Sequence, residues 1–256
     1  ERDDPLYEQA RRLAAELADR GWMVVTGAGP GIMAAGAEGA GTARSLGVNI
    51  RLPFEQEANE FIDQQRLVNM KYFFTRKLAL VKESQGFVSL PGGFGTLDET
   101  FELLTLQQTG KSVPTPIVFL DVPGGSYWEG WHRFVIEEVT ARGLISAEDD
   151  ELFLISDDVG AACRFITGFY RNYHSIRQIG NELVVRLHHE PTDDQVATLN
   201  ERFGHLVATG RIRKVRAFDI ERRQNDVPEL PRIALAFNRR GYAELRGLID
   251  LVNSWV

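Results

Sequence analysis

The stretch that decides the fold is Gly86-Phe87-Val88-Ser89-Leu90-Pro91-Gly92-Gly93-Phe94-Gly95-Thr96-Leu97-Asp98-Glu99. Its first five residues form a short apolar run, the next six a turn built from Pro, three Gly and Thr. A helical pattern then runs from Leu97 to Thr109. Strand, tight loop and helix in that order are one half of a parallel crossover unit. Gly92, Gly93 and Gly95 can adopt positive φ and bare their amides, and the helix after them adds its positive end. The expectation is therefore a nest for one phosphate, with the Thr96 hydroxyl beside it. The loop lacks a Lys-Ser/Thr pair after its glycines and is not a P-loop.

Similar units lie on both sides. Residues 6–20 carry apolar side chains at helical spacing and stop at Gly21, and 22–26 read as a buried strand. Gly27-Ala28-Gly29-Pro30-Gly31 is a second glycine loop feeding a small-residue helix over 32–46, and 48–52 form the next strand. An irregular segment holding Glu55 and Asn59 is followed by a helix from about Met70 to Ser84. Residues 116–120 form a strand, 128–142 a helix and 152–155 a last short strand. Alternating strands and helices predict an α/β fold, a doubly wound Rossmann-like parallel sheet with helices on both faces.

The rhythm changes after Tyr173. Residues 182–188, 212–220 and 232–237 read as strands, 193–207 and the end from Tyr242 as helices, and 221–229 as an exposed polar loop. We therefore expect two domains, a nucleotide-monophosphate-binding catalytic one over 1–173 and a small α+β one (βαββα) over 174–256, whose role is most simply oligomerisation.

Composition limits the partners. The 256 residues carry a formal net charge of −7 with scattered basic residues, so no electrostatic footprint for nucleic acid is present. No apolar run is long enough to span a bilayer, the start does not resemble a signal peptide, and the single cysteine, Cys163, fits a reducing cytoplasm. The five histidines show no metal-ligand spacing, so no metal is expected. Gly27, Gly29 and Gly31 are followed by Ile32 and miss the third glycine of a dinucleotide fingerprint, so no dinucleotide cofactor is expected either. No lysine sits in a setting suited to pyridoxal phosphate.

Two ambiguities are local. Thr96 and Glu99 spell a T-x-x-E capping box, which in isolation would close a helix start; if Thr96 faces a phosphate, the Glu99 carboxylate is free to act near a sugar. Arg76-Lys77 is either a solvated basic pair or a phosphate or leaving-group contact, and position decides between them.

These residues resemble one family, the LOG-type cytokinin riboside 5′-monophosphate phosphoribohydrolases, once labelled lysine decarboxylases. PGGFGTLDE at 91–99 is similar to the family's P-G-G-x-G-T-x-x-E, FFTRK at 73–77 to its Arg-Lys element, TGAGPGIMAAGAEGAG to its first glycine loop, and LPFEQ at 52–56 adds to the match. The likeness spans most of residues 5–165. It implies hydrolysis of the N-glycosidic bond of a nucleoside 5′-monophosphate without cofactor, a catalytic pair of Arg76 and Glu99, and a homodimer. It also implies substrate contacts from Glu55, Arg76, Lys77, Gly92, Gly93, Phe94, Gly95, Thr96, Leu97, Asp98 and Thr105; Gly27 and Gly29 of the first loop join them. Ala28 and Pro30 depart from the family's loop, and its first strand is not found ahead of Glu1. A different class of reading is a nucleotide-sensing module without turnover.

Overall fold

In the computed structural model, which describes residues 3–50 and 58–256, internal contacts divide the chain into two units. One runs up to Leu104 and takes in Pro116–Ile145 and Phe153–Ile166; the other comprises Thr105–Thr115, Ser146–Leu152 and Thr167–Val256.

The first unit opens with α1 (Pro5–Asp19). The Asp4 carboxylate caps it by accepting from the Leu6 amide at 2.8 Å, and Pro5 stands where its missing N–H costs nothing. α1 lies on α2 (Ile32–Ala40) so closely that a Cβ on Gly39 would fall 2.0 Å from the Arg11 carbonyl oxygen, which is why small residues fill this helix. The sequence reading carries α2 to residue 46, but Gly41 turns the chain with φ +71° and β2 (Ser45–Ile50) begins soon after. Together with β1 (Val24–Thr26) and β3 (Leu67–Met70), β2 forms a parallel sheet in the order β1-β2-β3. β3 was not foreseen: its four residues are polar or half-exposed, and the expected helix starts instead as α3 (Phe73–Glu83).

A second parallel sheet has the order β4-β5-β6, from β4 (Phe87–Ser89), β5 (Ile117–Leu120) and β6 (Phe153–Ser156). Between its strands run α4 (Phe94–Gln108) and α5 (Tyr127–Phe134), the latter continued by a π-helical turn over Val135–Thr140. After β6 comes α6 (Val159–Gly168), a helix absent from the sequence reading. Every residue of β5 is buried, and its side chains alternate between two cores. Val118 and Leu120 meet Leu13, Leu17, Ala162 and Ile166; Ile117 and Phe119 meet Leu103, Trp128, Trp131 and Val135. Helices thus cover both faces of parallel strands, as an α/β fold requires. Cys163 packs in the first of these cores, where burial pushes its thiol up to about 12, the state of an inert packing residue.

The second unit is an antiparallel sheet in the order β7-β8-β10-β9, from β7 (Tyr173–Ile179), β8 (Glu182–Leu187), β9 (Val207–Lys214) and β10 (Arg232–Phe237). α7 (Asp193–Phe203) and α9 (Tyr242–Asn253) bury Leu199, Phe203, Leu245, Leu248 and Val252 against Leu183, Val185, Ile233 and Leu235. The α+β character holds, with an additional strand, β7, and with β9 earlier than 212–220. The stretch 221–229 is not a plain exposed loop. It begins within α8 (Asp219–Gln224), whose Glu221 is completely buried between Arg186, 2.8 Å away, and Arg232, 2.7 Å away. Burial opposes ionisation of Glu221, but the Phe218 amide and the two guanidinium groups more than offset it, holding the carboxyl below the usual range.

Removing Glu221 leaves the buried Arg232 guanidinium without its carboxylate and takes one of two carboxylates from Arg186, which keeps Asp226. Glu221→Ala is expected to destabilise the second unit by about 3–5 kcal/mol, read from urea unfolding at pH 7. Because the native pKa is lowered, the stabilisation is present above the ordinary glutamate pKa and disappears as pH falls through the native one.

Candidate active site

The two glycine loops leave β1 and β4, and Arg76 of α3 reaches the first of them. Its Nε donates to the Val48 carbonyl at 2.9 Å, and a Cβ placed on Gly27 would lie 1.8 Å from its Nη2. Position 27 is therefore glycine because a guanidinium occupies the space where a side chain would stand. Gly29 is held by a bond from the Asn59 side-chain amide to its carbonyl at 3.1 Å, while the Asn59 backbone amide donates to the Ala28 carbonyl at 2.9 Å. Ala28, fully buried, adopts φ +62°, a conformation costing an L-residue about 1–2 kcal/mol.

The second loop differs from its expected form. Among the described glycines with positive φ, Gly92, Gly93 and Gly95 are missing, so these residues do not serve by left-handed conformation. Gly92 is small because Thr96 folds over it: a Cβ there would lie 2.3 Å from Thr96 Oγ1. α4 starts at Phe94, three residues earlier than the pattern suggested, and the Leu97 amide already donates to the Gly93 carbonyl at 3.2 Å. Thr96 consequently lies inside the first turn and not at the cap, and the T-x-x-E reading of Thr96 and Glu99 as a capping box loses its geometry. Gly92, Gly93, Phe94 and Gly95 are all exposed, with Phe94 at 92%.

Glu99 is half-buried and shares one cavity wall with Gly27 and Arg76. Burial raises its carboxyl above the usual range, against the opposing pull of Arg76 and then Lys77. Lys77 is engaged elsewhere: its ammonium contacts Asp98 and Glu102, each at 2.7 Å. Desolvation works against that charge, yet the two carboxylates win and the Lys77 pKa is raised. A lysine held so firmly charged is the reverse of what Schiff-base formation with pyridoxal phosphate needs.

The remaining expected residues scatter. Leu97 packs into the Phe119 and Trp128 core, and Thr105 is exposed on α4 within the second unit. Glu55 and LPFEQ lie outside the described residues. Sequence reasoning missed Tyr127 and Asp121. The Tyr127 hydroxyl donates to the Gly92 carbonyl at 2.7 Å, and the buried Asp121 carboxylate accepts from the Tyr127 amide at 2.9 Å and the Trp128 amide at 3.4 Å. Asp121 thus holds the start of α5, and α5 holds the glycine loop. The signal was an acid just past a strand's carboxyl end.

A family model described as possible lysine decarboxylase matches residues 31–166. A cytokinin riboside 5′-monophosphate phosphoribohydrolase of Mycobacterium tuberculosis is 31% identical over 163 residues, 62% of this chain and 84% of that protein. The chain belongs to the LOG-type family. A similarly named protein of Mycobacterium marinum is 29% identical, over 61% of this chain and 83% of its own length. A probable cytokinin riboside 5′-monophosphate phosphoribohydrolase of Oryza sativa is 30% identical over 60% of this chain and 66% of its own. A solved molybdenum cofactor binding protein of Rippkaea orientalis aligns at TM-score 0.47 and 20% identity, covering 64% of this chain and 87% of that one.

Within this LOG-type chain, Tyr127 holds the second glycine loop from another helix. Tyr127→Phe removes a single hydrogen bond, worth about 1 kcal/mol. The expected result is a looser loop, read as several-fold faster amide hydrogen exchange at residues 92–95, with the melting temperature nearly unchanged.

Proposed function

We propose that the protein hydrolyses the N-glycosidic bond of a nucleoside 5′-monophosphate of the AMP or cytokinin riboside monophosphate type, giving free base and ribose 5-phosphate. The observation that carries this reading is the half-buried Glu99 carboxylate beside the Arg76 guanidinium, past the carboxyl ends of parallel strands. The names of the relatives agree with it.

In the proposed reaction the C1′–N bond lengthens and positive charge builds on the ribose ring. A carboxylate beneath C1′ stabilises that charge and accepts a proton from the attacking water, whose oxygen bonds to C1′ as the base leaves with the bonding pair and takes up a proton. Glu99 suits the role: its raised pKa makes it a better base than an exposed glutamate, while Arg76 opposes the shift and favours ionisation. The phosphate is assigned to the start of α4. There the exposed backbone of Gly92, Gly93, Phe94 and Gly95, with Thr96 behind it, offers a helix N-terminus to an anion. Arg76 then steadies the phosphate or the departing base. Lys77 and Asp98 act as a pair, each fixing the other beside the site.

Glu99→Gln separates chemistry from binding. Free base measured from a panel of nucleoside monophosphates should fall to background while nucleotide affinity survives; wild-type turnover in the variant would remove Glu99 from the mechanism, and binding without turnover in the wild type would leave a sensor. In the wild type, the acid limb of kcat/KM should lie above the ordinary glutamate pKa. The raised pKa also means that ionised Glu99 weakens the fold as pH rises through it, so Glu99→Gln should add about 0.5–1 kcal/mol at pH 7 and less at pH 4.

The reading includes a second copy of the chain. α3 has no buried residue, and Phe73 (51% exposed), Phe74 (68%) and Leu78 (60%) stand in solvent with Phe101 of α4 (42%). An apolar helix face left bare in this way is what an obligate partner covers. Phe74→Asp with Leu78→Asp should shift sedimentation from dimer to monomer; a wild-type chain that sediments as a monomer at micromolar concentration would end this part of the proposal.

A further inference from the structure

Arg76 and Lys77 are consecutive on α3, and Asp98 and Glu99 are consecutive on α4. The two doublets meet twice. Arg76 and Glu99 line one cavity wall together, while Lys77 turns to Asp98 and, one helical turn further on, to Glu102, with 2.7 Å to each carboxylate. Glu102 follows Glu99 by three positions and Asp98 by four, so it borders both on the surface of α4.

The two carboxylates that hold Lys77 are unequal. The Asp98 side chain is 59% exposed and that of Glu102 39%, but the Glu102 oxygen in contact with the ammonium, Oε2, is itself shielded from solvent. Lys77 is only 14% exposed. An ion pair made through a wet carboxylate is screened by water and contributes little, whereas one made through a shielded oxygen acts at a lower local dielectric. Asp98 steadies the ammonium; Glu102 anchors it.

α3 needs such an anchor. None of its residues is buried, so apolar packing within the chain does little to set its place. Arg76 ties it to β2 through the Val48 carbonyl at 2.9 Å, and Lys77 ties it to α4. We propose that Glu102 is a positioning residue: through Lys77 it locks α3 to α4 and so sets how closely the Arg76 guanidinium approaches the Glu99 carboxylate. Its part in the chemistry is exerted through Lys77 and rests on the reading of Arg76 and Glu99 as the catalytic pair.

Clamp and charge act on Glu99 with opposite signs. Arg76 and Lys77 favour its ionisation, and Asp98 and Glu102 oppose it. Removing the Glu102 charge with nothing else moving would relieve a repulsion and lower the Glu99 pKa. Releasing the clamp does the reverse. Arg76, still tied to β2, moves with α3 away from Glu99, Lys77 goes with it, and the carboxyl, losing both cations, titrates at higher pH.

The test compares the wild type with Glu102→Gln, which keeps the shape and removes the charge, and with Glu102→Asp, which keeps the charge and draws it back from Lys77. In protein labelled with carbon-13 at the glutamate carboxyls, with the Glu99 signal assigned from Glu99→Gln, the Glu99 titration should move up by about half a pH unit or more in Glu102→Gln, and by less in Glu102→Asp. Free base released from AMP should show the same upward move in the acid limb of kcat/KM. For Glu102→Gln at neutral pH, kcat should fall by about tenfold or more while KM stays within about threefold of the wild type. A Glu99 titration that stays in place or moves down in Glu102→Gln overturns the proposal; should that variant fail to fold, the same outcome in Glu102→Asp does so. The carboxyl titration needs no turnover, so a wild type that releases no base would end the proposed hydrolysis and leave the clamp to be decided by the titration alone.

Discussion

The first unit's site depends on one close approach, that of the Arg76 guanidinium to the backbone at Gly27. Anchored through Nε to the Val48 carbonyl, the side chain has room only because position 27 carries no Cβ. Its charge is what opposes the desolvation of Glu99. A carboxylate buried without a cation would simply stay protonated, and one fully exposed would be a weak base. Arg76 sets the balance between the two, and it can do so only while β2, the first glycine loop and α3 keep their places.

The glycine loops show which parts of such a site a sequence exposes. Strand, Pro-Gly-Gly and helix were readable because hydrophobic period and turn residues are local properties. The reason for the glycines was not. Freedom in φ was the natural guess, yet the structure uses Gly27 and Gly92 for closeness, to Arg76 and Thr96, and places positive φ on Ala28 and Gly31 instead. The start of α4 was also misplaced, because Gly93-Phe94-Gly95 looks like loop by composition and becomes helix once Leu97 bonds back to Gly93. That shift of three residues took Thr96 and Glu99 out of the capping position. Tyr127 was invisible for a related reason: its bond to Gly92 spans 35 residues, and no spacing rule reaches so far.

In the second unit the limits were of another kind. Residues 221–229 are polar, and polar residues without a visible partner read as solvent-exposed. Their partners, Arg186 on β8 and Arg232 on β10, are charged residues inside strands, which a periodicity argument assigns to the outer face. The sheet does turn these arginines away from the apolar core, but α8 closes over them. β7 and α6 were missed because half-buried strands and short small-residue helices give weak periodic signals.

Unpaired or exposed groups are distributed unevenly between the two units. In the second, the buried ions close on each other: Glu221 receives two guanidinium groups and an amide, and Asp226 pairs with Arg186 and Arg177. In the first, a carboxylate is half-buried at Glu99 with its pKa raised and apolar side chains stand bare on α3, whereas left-handed non-glycine residues occur in both, at Ala28 in the first and at Asn225, Val227 and Arg239 in the second. The half-buried carboxylate and the bare apolar face both lower stability, and a sequence under selection for folding alone would have little reason to keep them together between residues 73 and 99. Local conflict of this kind gathers where a surface has a task besides packing. The features that invite chemistry thus gather in the unit to which most of the family-model match belongs.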